Sequence, residues 1–173
     1  MSRLYHGTLA RNVQSIRTTG LLPRKGLWTA GFHSDAAELV FAVDENHQHR
    51  LILAITGQMA KADLARWTES YQFGHFNDDL IKHGAVVIVG AEKFSPYPPG
   101  RFETGHPLGT EPGDWYSRRP ISIDDIQEIM TEQAMLDWLK PSVTEFVHSY
   151  REVLRTYCLG NLFPTLATCL SAP

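Results

Sequence analysis

The hydrophobic positions at the start of the chain change their spacing once, which predicts a short strand followed by a short helix. Leu4 and Tyr5 form an apolar pair of the kind found in strands. From Leu9 to Thr19 the apolar residues recur every three to four positions, as they do on one face of a helix. Gly20 stands where helices commonly end. We therefore expect a strand and an amphipathic helix to open the chain.

Three apolar segments follow in the middle of the chain. A second strand is expected to end at Phe32–Ser34, because Asp35–Glu38 has the spacing of a capping box and introduces an apolar segment that reaches Val43. This apolar segment predicts a helix. The short apolar, β-rich segment Leu51–Thr56 predicts a core strand. Ala85–Val89 is the clearest buried strand in the sequence.

The last part of the chain begins with a long loop. Ala91–Gly113 is rich in proline and glycine, and a loop of this length is usually functional or mobile. Asp114–Ser117 predicts a short strand, and the isoleucines of Ile121–Ile129 predict a final strand and turn. We expect a single domain over residues 1–173, with a helical C-terminal extension over about 131–173.

Charge and composition narrow the function classes. The chain of 173 residues has a net charge of −3, so no basic excess indicates a large nucleic-acid footprint, and a local basic patch stays open. Cys158 and Cys169 follow no disulfide or zinc pattern, and the histidines have no metal-ligand spacing. No apolar segment has the length of a membrane span, and the N-terminus lacks the form of a signal peptide. We expect a cytoplasmic protein without a metal or a membrane partner, with export by a specialised secretion system left open.

Candidate chemistry begins at Tyr5-His6-Gly7-Thr8, where the first strand ends. Glycine lets a ligand approach the backbone closely, and the residues on either side supply hydrogen-bonding groups. This strand end could hold a polar ring compound flat against the main chain.

Together with two later segments, this motif resembles a known family. The helix that runs into Thr19-Gly20-Leu21, and the small-residue strand whose aromatic precedes Ser34-Asp35, complete the pattern. It resembles the opening half of the ADP-ribosyltransferases of the His-Tyr-Glu branch, which includes the poly(ADP-ribose) polymerases, the rifampin ADP-ribosyltransferases and the tRNA 2'-phosphotransferases. The resemblance covers about the first third of the chain and continues only in the order of the elements. It implies an α+β fold with a split, mainly antiparallel sheet surrounded by helices.

The resemblance also implies an activity and a first group of site residues. The activity is transfer of ADP-ribose from NAD to an acceptor, with release of nicotinamide. In the family the motif histidine, here His6, donates to a ribose hydroxyl, and the backbone of the next residue, Gly7, grips the carboxamide. Thr8 completes this first motif.

A second motif would hold the nicotinamide ring. The family typically has a tyrosine that stacks on this ring, whereas this chain offers Phe32 and His33, and either could stack. Ser34 and Phe41 are expected to contact the cofactor as well.

A third motif supplies the acid that bonds the ribose 2'-hydroxyl and polarises the acceptor. Glu111 and Asp114 are both candidates, and Glu103 is a weaker one. Asp114 directly opens a predicted strand, which is where the family places its acid. Some relatives use aspartate at this position.

Two alternatives stay open at the level of sequence. His33 is typical of the RNA 2'-phosphotransferases, which also use NAD. They rank second because they need an extra domain and basic residues ahead of the first histidine, and here only five residues precede it. The other alternative is a catalytically inactive module that binds NAD or ADP-ribose.

The acceptor and the biological role are left open. The acceptor could be a protein, a nucleic acid or a small molecule such as an antibiotic, and the role toxin, defence or detoxification. A toxin would bring a cognate antitoxin or immunity partner.

Overall fold

A computed structural model describes residues 2–24, 38–62, 76–96 and 113–139 of the chain. Within these ranges the protein is α+β, with a six-stranded antiparallel sheet and several helices. The predicted second strand at Phe32–Ser34, most of the loop Ala91–Gly113 and the C-terminal extension beyond residue 139 lie outside the described residues.

The sheet has the strand order β4-β5-β2-β1-β3-β6, and every neighbouring pair is antiparallel. The strands are β1 (Arg3–Leu9), β2 (Val40–Val43), β3 (Gly84–Gly90), β4 (Ser95–Pro96), β5 (Asp114–Ser117) and β6 (Ile126–Thr131). The helices are α1 (Val13–Thr19), α2 (Gln48–Ala62), α3 (Phe76–His83) and α4 (132–139). Short 3-10 turns cover Ala10–Asn12, Glu45–His47, Ala91–Lys93 and Ile123–Asp125.

The end of α1 confirms the expectation from the sequence. Gly20 has a φ of 75°, in the region that favours glycine, and its N–H donates to the carbonyl of Ile16 at 2.9 Å. A Cβ at this position would collide with the carbonyl oxygen of Ile121. Glycine therefore ends the helix and also lets the chain pass close to the segment before β6.

The central strands β1 and β3 form the most regular part of the sheet. They pair over seven consecutive positions, from Arg3 opposite Gly90 to Leu9 opposite Gly84. Every residue of β3 is buried, which confirms the strand predicted at Ala85–Val89. A strand buried on both faces reads as a continuous apolar sequence, and β3 has that sequence.

The pairing of β1 with β2 is much shorter. Of the described residues, one pair, Tyr5 with Val43, connects the two strands, whereas β2 pairs with β5 over all four of its residues. The sheet therefore consists of two three-stranded halves, β4-β5-β2 and β1-β3-β6. After the pair Tyr5–Val43, from His6 onward along β1, the two strands separate. We call this place the opening.

Helices cover both faces of the sheet. On one face, here the α1 face, Leu4, Ala42 and Val87 cluster with Ile16 of α1. On the other, the α2 face, Gly7 of β1 meets α2. On that face the ring of Tyr5 also stacks on Trp138 of α4, with ring centroids 4.6 Å apart. Because side chains alternate along a strand, each residue's place in β1 decides which helix it meets.

Two predicted elements are wrong, and both were short apolar segments. Val40–Val43 forms strand β2 instead of continuing a helix, and it is held by its pairing with β5. Leu51–Thr56 lies within helix α2 instead of forming a strand. The buried residues of α2 are Leu51, Ile52, Ile55, Thr56 and Met59. Their spacing keeps them on one side of a helix, and a short apolar segment cannot distinguish the two structures by itself.

Candidate functional site at the opening of the sheet

His6 lies on β1 directly after the last residue that pairs with β2. Its ring is half-buried, and Nδ1 lies 2.7 Å from the carbonyl oxygen of Phe41 on β2. A carbonyl oxygen only accepts, so Nδ1 carries the hydrogen and donates it. The side chain of His6 therefore connects the two halves of the sheet where their backbones separate.

The environment of His6 fixes its charge and its tautomer. Burial lowers the pKa of His6 below its ordinary value of 6.5, and this effect outweighs the hydrogen bond to Phe41, which raises it. At pH 7 the ring is therefore neutral, with its hydrogen on Nδ1 and a lone pair on Nε2. Among the described residues, Nε2 has no hydrogen-bond partner. In this state Nε2 can only accept a hydrogen bond, whereas the family resemblance implies that His6 donates one to a ribose hydroxyl.

Gly7 is required by packing inside the protein. A Cβ at this position would lie 2.9 Å from the carbonyl oxygen of Leu51 and 3.3 Å from Cγ1 of Ile55, both on α2. The carbonyl of Gly7 accepts a hydrogen bond from Nε2 of Gln58 at 3.2 Å, and the same nitrogen donates to Ala54 at 3.1 Å. A carbonyl oxygen has two lone pairs, so it can accept more than one hydrogen bond.

Thr8 anchors the far end of the motif. It is 4% exposed, and its hydroxyl oxygen accepts a hydrogen bond from the side-chain amide of Asn12 at 3.1 Å. This bond holds the end of β1 against the turn that leads into α1. Thr8 thus supports the geometry of His6 and Gly7 from the helix side.

Phe41 offers the site its backbone carbonyl. Its neighbours Val40 and Ala42 belong to the core on the α1 face, so by alternation the side chain of Phe41 lies on the α2 face. Phe41 is half-buried and faces Tyr116 across the β2–β5 pair. Its expected contact with the cofactor stays a prediction.

Asp114 is the candidate acid that the structure describes. It is the first residue of β5, which confirms the predicted strand start, and it is 6% exposed. Its Oδ2 lies 2.6 Å from Nη2 of Arg50 on α2. Tyr5, Val43 and Asp114 stand in one row across β1, β2 and β5. Two strand spacings of about 4.8 Å put the backbone of Asp114 roughly 10 Å from the residue next to His6.

A second polar pair ties the same strand ends together. Asp44, which follows β2, accepts from Nδ1 of His47 at 2.7 Å, and its backbone N–H donates to the carbonyl of Gly113 at 3.1 Å. The end of β2 is thereby fixed against the start of β5. This contact fixes the backbone on which Asp114 is carried.

Several predicted site residues lie outside the described residues. They are Phe32, His33, Ser34, Glu103 and Glu111, and their roles stay predictions. Sequence reasoning missed two residues that the structure brings to the site, Arg50 and Gln58. Neither belongs to a motif, and Arg50 meets Asp114 across 64 positions of sequence.

Within the described ranges, no group of three or more metal-ligating side chains comes together. The helices in those ranges include none whose length and hydropathy would suit a membrane span.

Comparisons with known proteins identify no relative. No family profile matches the chain, and no curated protein or solved structure matches it either.

Proposed function

We propose that this protein is an NAD-dependent ADP-ribosyltransferase whose site lies at the opening between β1 and β2. The observation that carries this proposal is the state of His6. A neutral ring, held by the Phe41 carbonyl at 2.7 Å, presents an acceptor nitrogen where the two halves of the sheet part. A fixed acceptor of this kind suits the hydroxyl groups of a ribose.

The layout of the sheet supports the proposal. Two antiparallel halves that meet, among the described residues, at the pair Tyr5–Val43 would suit the split sheet that the family resemblance implies. The motif His6-Gly7-Thr8 lies on the edge of β1 beside this division. A ligand bound there would contact residues of both halves.

The reaction requires the protein mainly to orient the substrate and to place negative charge near the ribose. Breaking the bond between C1' of the ribose and the nicotinamide nitrogen leaves the electron pair on nicotinamide and a positive, oxocarbenium-like sugar. His6 would orient this ribose by accepting from a hydroxyl at Nε2, and the Gly7 carbonyl would accept from the carboxamide. The acceptor nucleophile then forms a bond to C1' and loses its proton.

By alternation Asp114 lies on the α2 face and His6 on the α1 face, so across the opening Asp114 would supply, from the opposite side, the negative charge that favours the positive sugar. Arg50 orients this carboxylate through the 2.6 Å contact, in a place where both side chains are largely buried. A carboxylate held in this way needs no rearrangement when charge develops on the substrate.

The test is nicotinamide release from NAD by the purified chain, with and without a cell extract as a source of acceptor. His6→Asn keeps a donor for the Phe41 carbonyl and removes the acceptor at the position of Nε2, whereas His6→Gln keeps an acceptor at the end of a longer side chain. We expect His6→Asn to fold and to lose release by about 100-fold, with His6→Gln losing less. His49→Ala, a histidine on α2, is the matched control. Unchanged release in a folded His6→Asn variant would contradict the proposal.

One observation favours a second candidate, an inactive module that binds NAD or ADP-ribose. Asp114 is buried and already engaged by Arg50, so its role can be to hold β5 against α2. Such a module would be stabilised against heat by NAD and would release no nicotinamide. Asp114→Asn separates the two roles, because the amide oxygen still accepts from Arg50 but the charge is lost. An enzyme would release nicotinamide as wild type and lose that release in Asp114→Asn, whereas a binding module would release none in either form and would show a thermal shift with NAD in both.

A further inference from the structure

One end of the sheet is formed by β6, and its outer side has no neighbouring strand in the part of the chain that the structure describes. The opposite end is β4, which consists only of Ser95 and Pro96, and proline has no backbone N–H. β6 has six residues. The longer of the two end strands is therefore β6, and we call its outer side the β6 edge.

The register of the sheet decides which backbone groups point outward at the β6 edge. The N–H of Ala91, which follows β3, donates to the carbonyl of Ser2, which precedes β1, at 3.2 Å. Backbone groups alternate in direction along a strand, so odd-numbered residues of β3 point theirs toward β1 and even-numbered residues toward β6. Met130 is opposite an even-numbered residue of β3, so its groups point toward β3. The N–H and C=O groups of Ile129 and Thr131 therefore point away from the sheet.

These outward groups can pair with an added strand. Among the described residues, none forms a hydrogen bond with Ile129 or Thr131 from the outer side. An unpaired strand edge of this kind binds extended peptides by strand addition, in which the two main chains supply the hydrogen bonds. The outward N–H and C=O groups of the two residues match the donors and acceptors of a short extended segment.

The side chains at the β6 edge differ between the two faces of the sheet. Ile126 and Ile129 are half-buried and pack against the core on the α1 face. Glu128 is exposed and stands in one row with Ile88 and Tyr5, which places it on the α2 face. An added strand would therefore place alternate side chains beside the isoleucines and the side chains between them beside Glu128.

Negative charge is concentrated around the β6 edge. From Pro120 to Leu139 the sequence has five acidic residues and no lysine, arginine or histidine. The acids are Asp124, Asp125, Glu128, Glu132 and Asp137. Of the described cations, Lys93 alone lies within 4.0 Å of one of these acids, at 3.9 Å from Asp125. A second copy of this chain would bring the same charges to the edge, whereas a basic strand would complement them.

We propose that the β6 edge binds an extended peptide segment of alternating basic and apolar residues, as an added strand of the sheet. The backbones of Ile129 and Thr131 bond its main chain. Glu128 attracts its basic side chains, and Ile126 and Ile129 pack with its apolar ones. The partner is a polypeptide, and its binding does not depend on the proposed NAD site.

Fluorescence anisotropy tests this binding on the full chain at about 50 mM salt, where surface charges are weakly screened. The probe is a labelled peptide of about ten residues that alternates valine and lysine. A peptide with glutamate in place of lysine tests the charge, and one with proline at its centre tests the main-chain pairing. We expect saturable binding of the lysine peptide, at least about tenfold weaker binding of the proline peptide, and no binding of the glutamate peptide.

Two variants of the protein test the same contacts from the other side. Thr131→Pro removes an outward N–H and no hydrogen bond to β3, and Thr131→Ala is its control because it keeps the N–H. We expect the proline variant to bind the lysine peptide at least about tenfold more weakly and the alanine variant to stay within about twofold of wild type. Glu128→Lys should weaken binding about fivefold, while Glu38→Lys, at an exposed acid ahead of β2, should stay within about twofold. Where Thr131→Pro does not fold, Glu128→Lys decides.

Amide hydrogen exchange locates the bound peptide. The amides of Ile129 and Thr131 should exchange at least about tenfold more slowly when the lysine peptide is bound, whereas that of Met130, which points toward β3, should change by less than about twofold.

Four results would overturn the inference. They are the absence of saturable binding of the lysine peptide, equal binding by wild type and a folded Thr131→Pro variant, equal binding by wild type and Glu128→Lys, and a dimer in sedimentation without peptide that Thr131→Pro abolishes. The last result would mean that a second copy of the chain covers the edge.

Discussion

The two edges of β1 are built in opposite ways. Toward β3 the strand pairs at seven consecutive positions with a neighbour that is buried throughout. Toward β2 it pairs at one position, and the next residue, His6, reaches across with its side chain instead of its backbone. One strand thus carries the core on one edge and the candidate site on the other.

The comparison teaches how a rigid scaffold can present polar groups. The residues of β1 that face the opening are held by β3 behind them, so their positions do not depend on complete pairing with β2. In the proposed site His6 would then offer its ring nitrogen and Gly7 its carbonyl to a ligand. A strand paired fully on both edges would have its backbone N–H and C=O groups engaged within the sheet.

Removing Asp114 should lower the stability of the protein more than the other changes, because it removes the ion pair with Arg50 that holds β5, beside β2, against α2. Asp114→Ala leaves Arg50 without the carboxylate it contacts at 2.6 Å and should lower the free energy of unfolding by about 3 kcal/mol. Asp114→Asn, which keeps an acceptor, should cost about 1 kcal/mol. Hydrogen exchange should show amides of β2 and β5 losing protection before those of β1 and β3. Uniform loss across the sheet would show that the two halves do not differ.

Replacing Gly7 tests the close contact between β1 and α2. Gly7→Ala places a Cβ 2.9 Å from the backbone of Leu51 and should cost about 2 kcal/mol of unfolding free energy, because the helix must shift. Gly90→Ala, at the other end of the pairing register, meets only the movable end of the Glu92 side chain and should cost about 0.5 kcal/mol or less. Chemical denaturation of both variants gives the two values. Equal costs would contradict the packing argument for Gly7.

The pH dependence of the free energy of unfolding should report on His6, the histidine of β1 at the opening. Because the pKa of His6 is lowered in the folded protein, the unfolded chain binds the proton more tightly, and stability falls as pH drops below about 6.5 until the folded pKa is reached. One such proton contributes at most about 1.4 kcal/mol per pH unit. The contribution should disappear in His6→Asn, measured by denaturation at pH values from 7 to 5. An unchanged pH profile in this variant would mean that His6 titrates like an unfolded histidine.

The smallest expected effect concerns the carbonyl of Gly7. Gln58→Met keeps the shape of the side chain, removes the hydrogen bonds to Gly7 at 3.2 Å and to Ala54 at 3.1 Å, and should cost about 1 kcal/mol. Gln133→Met, which removes an exposed bond of 2.8 Å to Asp137, is the control and should cost less than about 0.5 kcal/mol. Thermal denaturation compares the two. A control that costs as much as Gln58→Met would show that the Gly7 bond adds no particular support.

The elements with a clear local signal could be predicted from the sequence. The continuous apolar sequence of β3 correctly predicted a strand. The glycine after α1 correctly predicted where that helix ends. Val40–Val43 and Leu51–Thr56 could not be assigned by the same means, because tertiary contacts decide between helix and strand for short apolar segments. β2 is a strand because β5 lies beside it, and α2 is a helix whose buried side packs on the sheet.

The sequence predicted residues of the candidate site only where they belong to a motif. Local pattern and the family resemblance together indicate His6, Gly7 and Asp114, and the structure places His6 at the opening and Asp114 at a strand start. The tautomer of His6 depends on a carbonyl 35 residues away, and the partner of Asp114 lies 64 residues away. No local pattern reports such contacts, because the fold creates them.

The most direct test of the central claim is nitrogen NMR of the histidine rings, with and without NAD. At pH 7 we expect His6 to be neutral with its hydrogen on Nδ1, and we expect NAD to shift its Nε2 resonance while His49 stays unchanged. A His6 ring that is charged at pH 7, or whose Nε2 resonance does not respond to saturating NAD, would contradict the account of this opening as an NAD site.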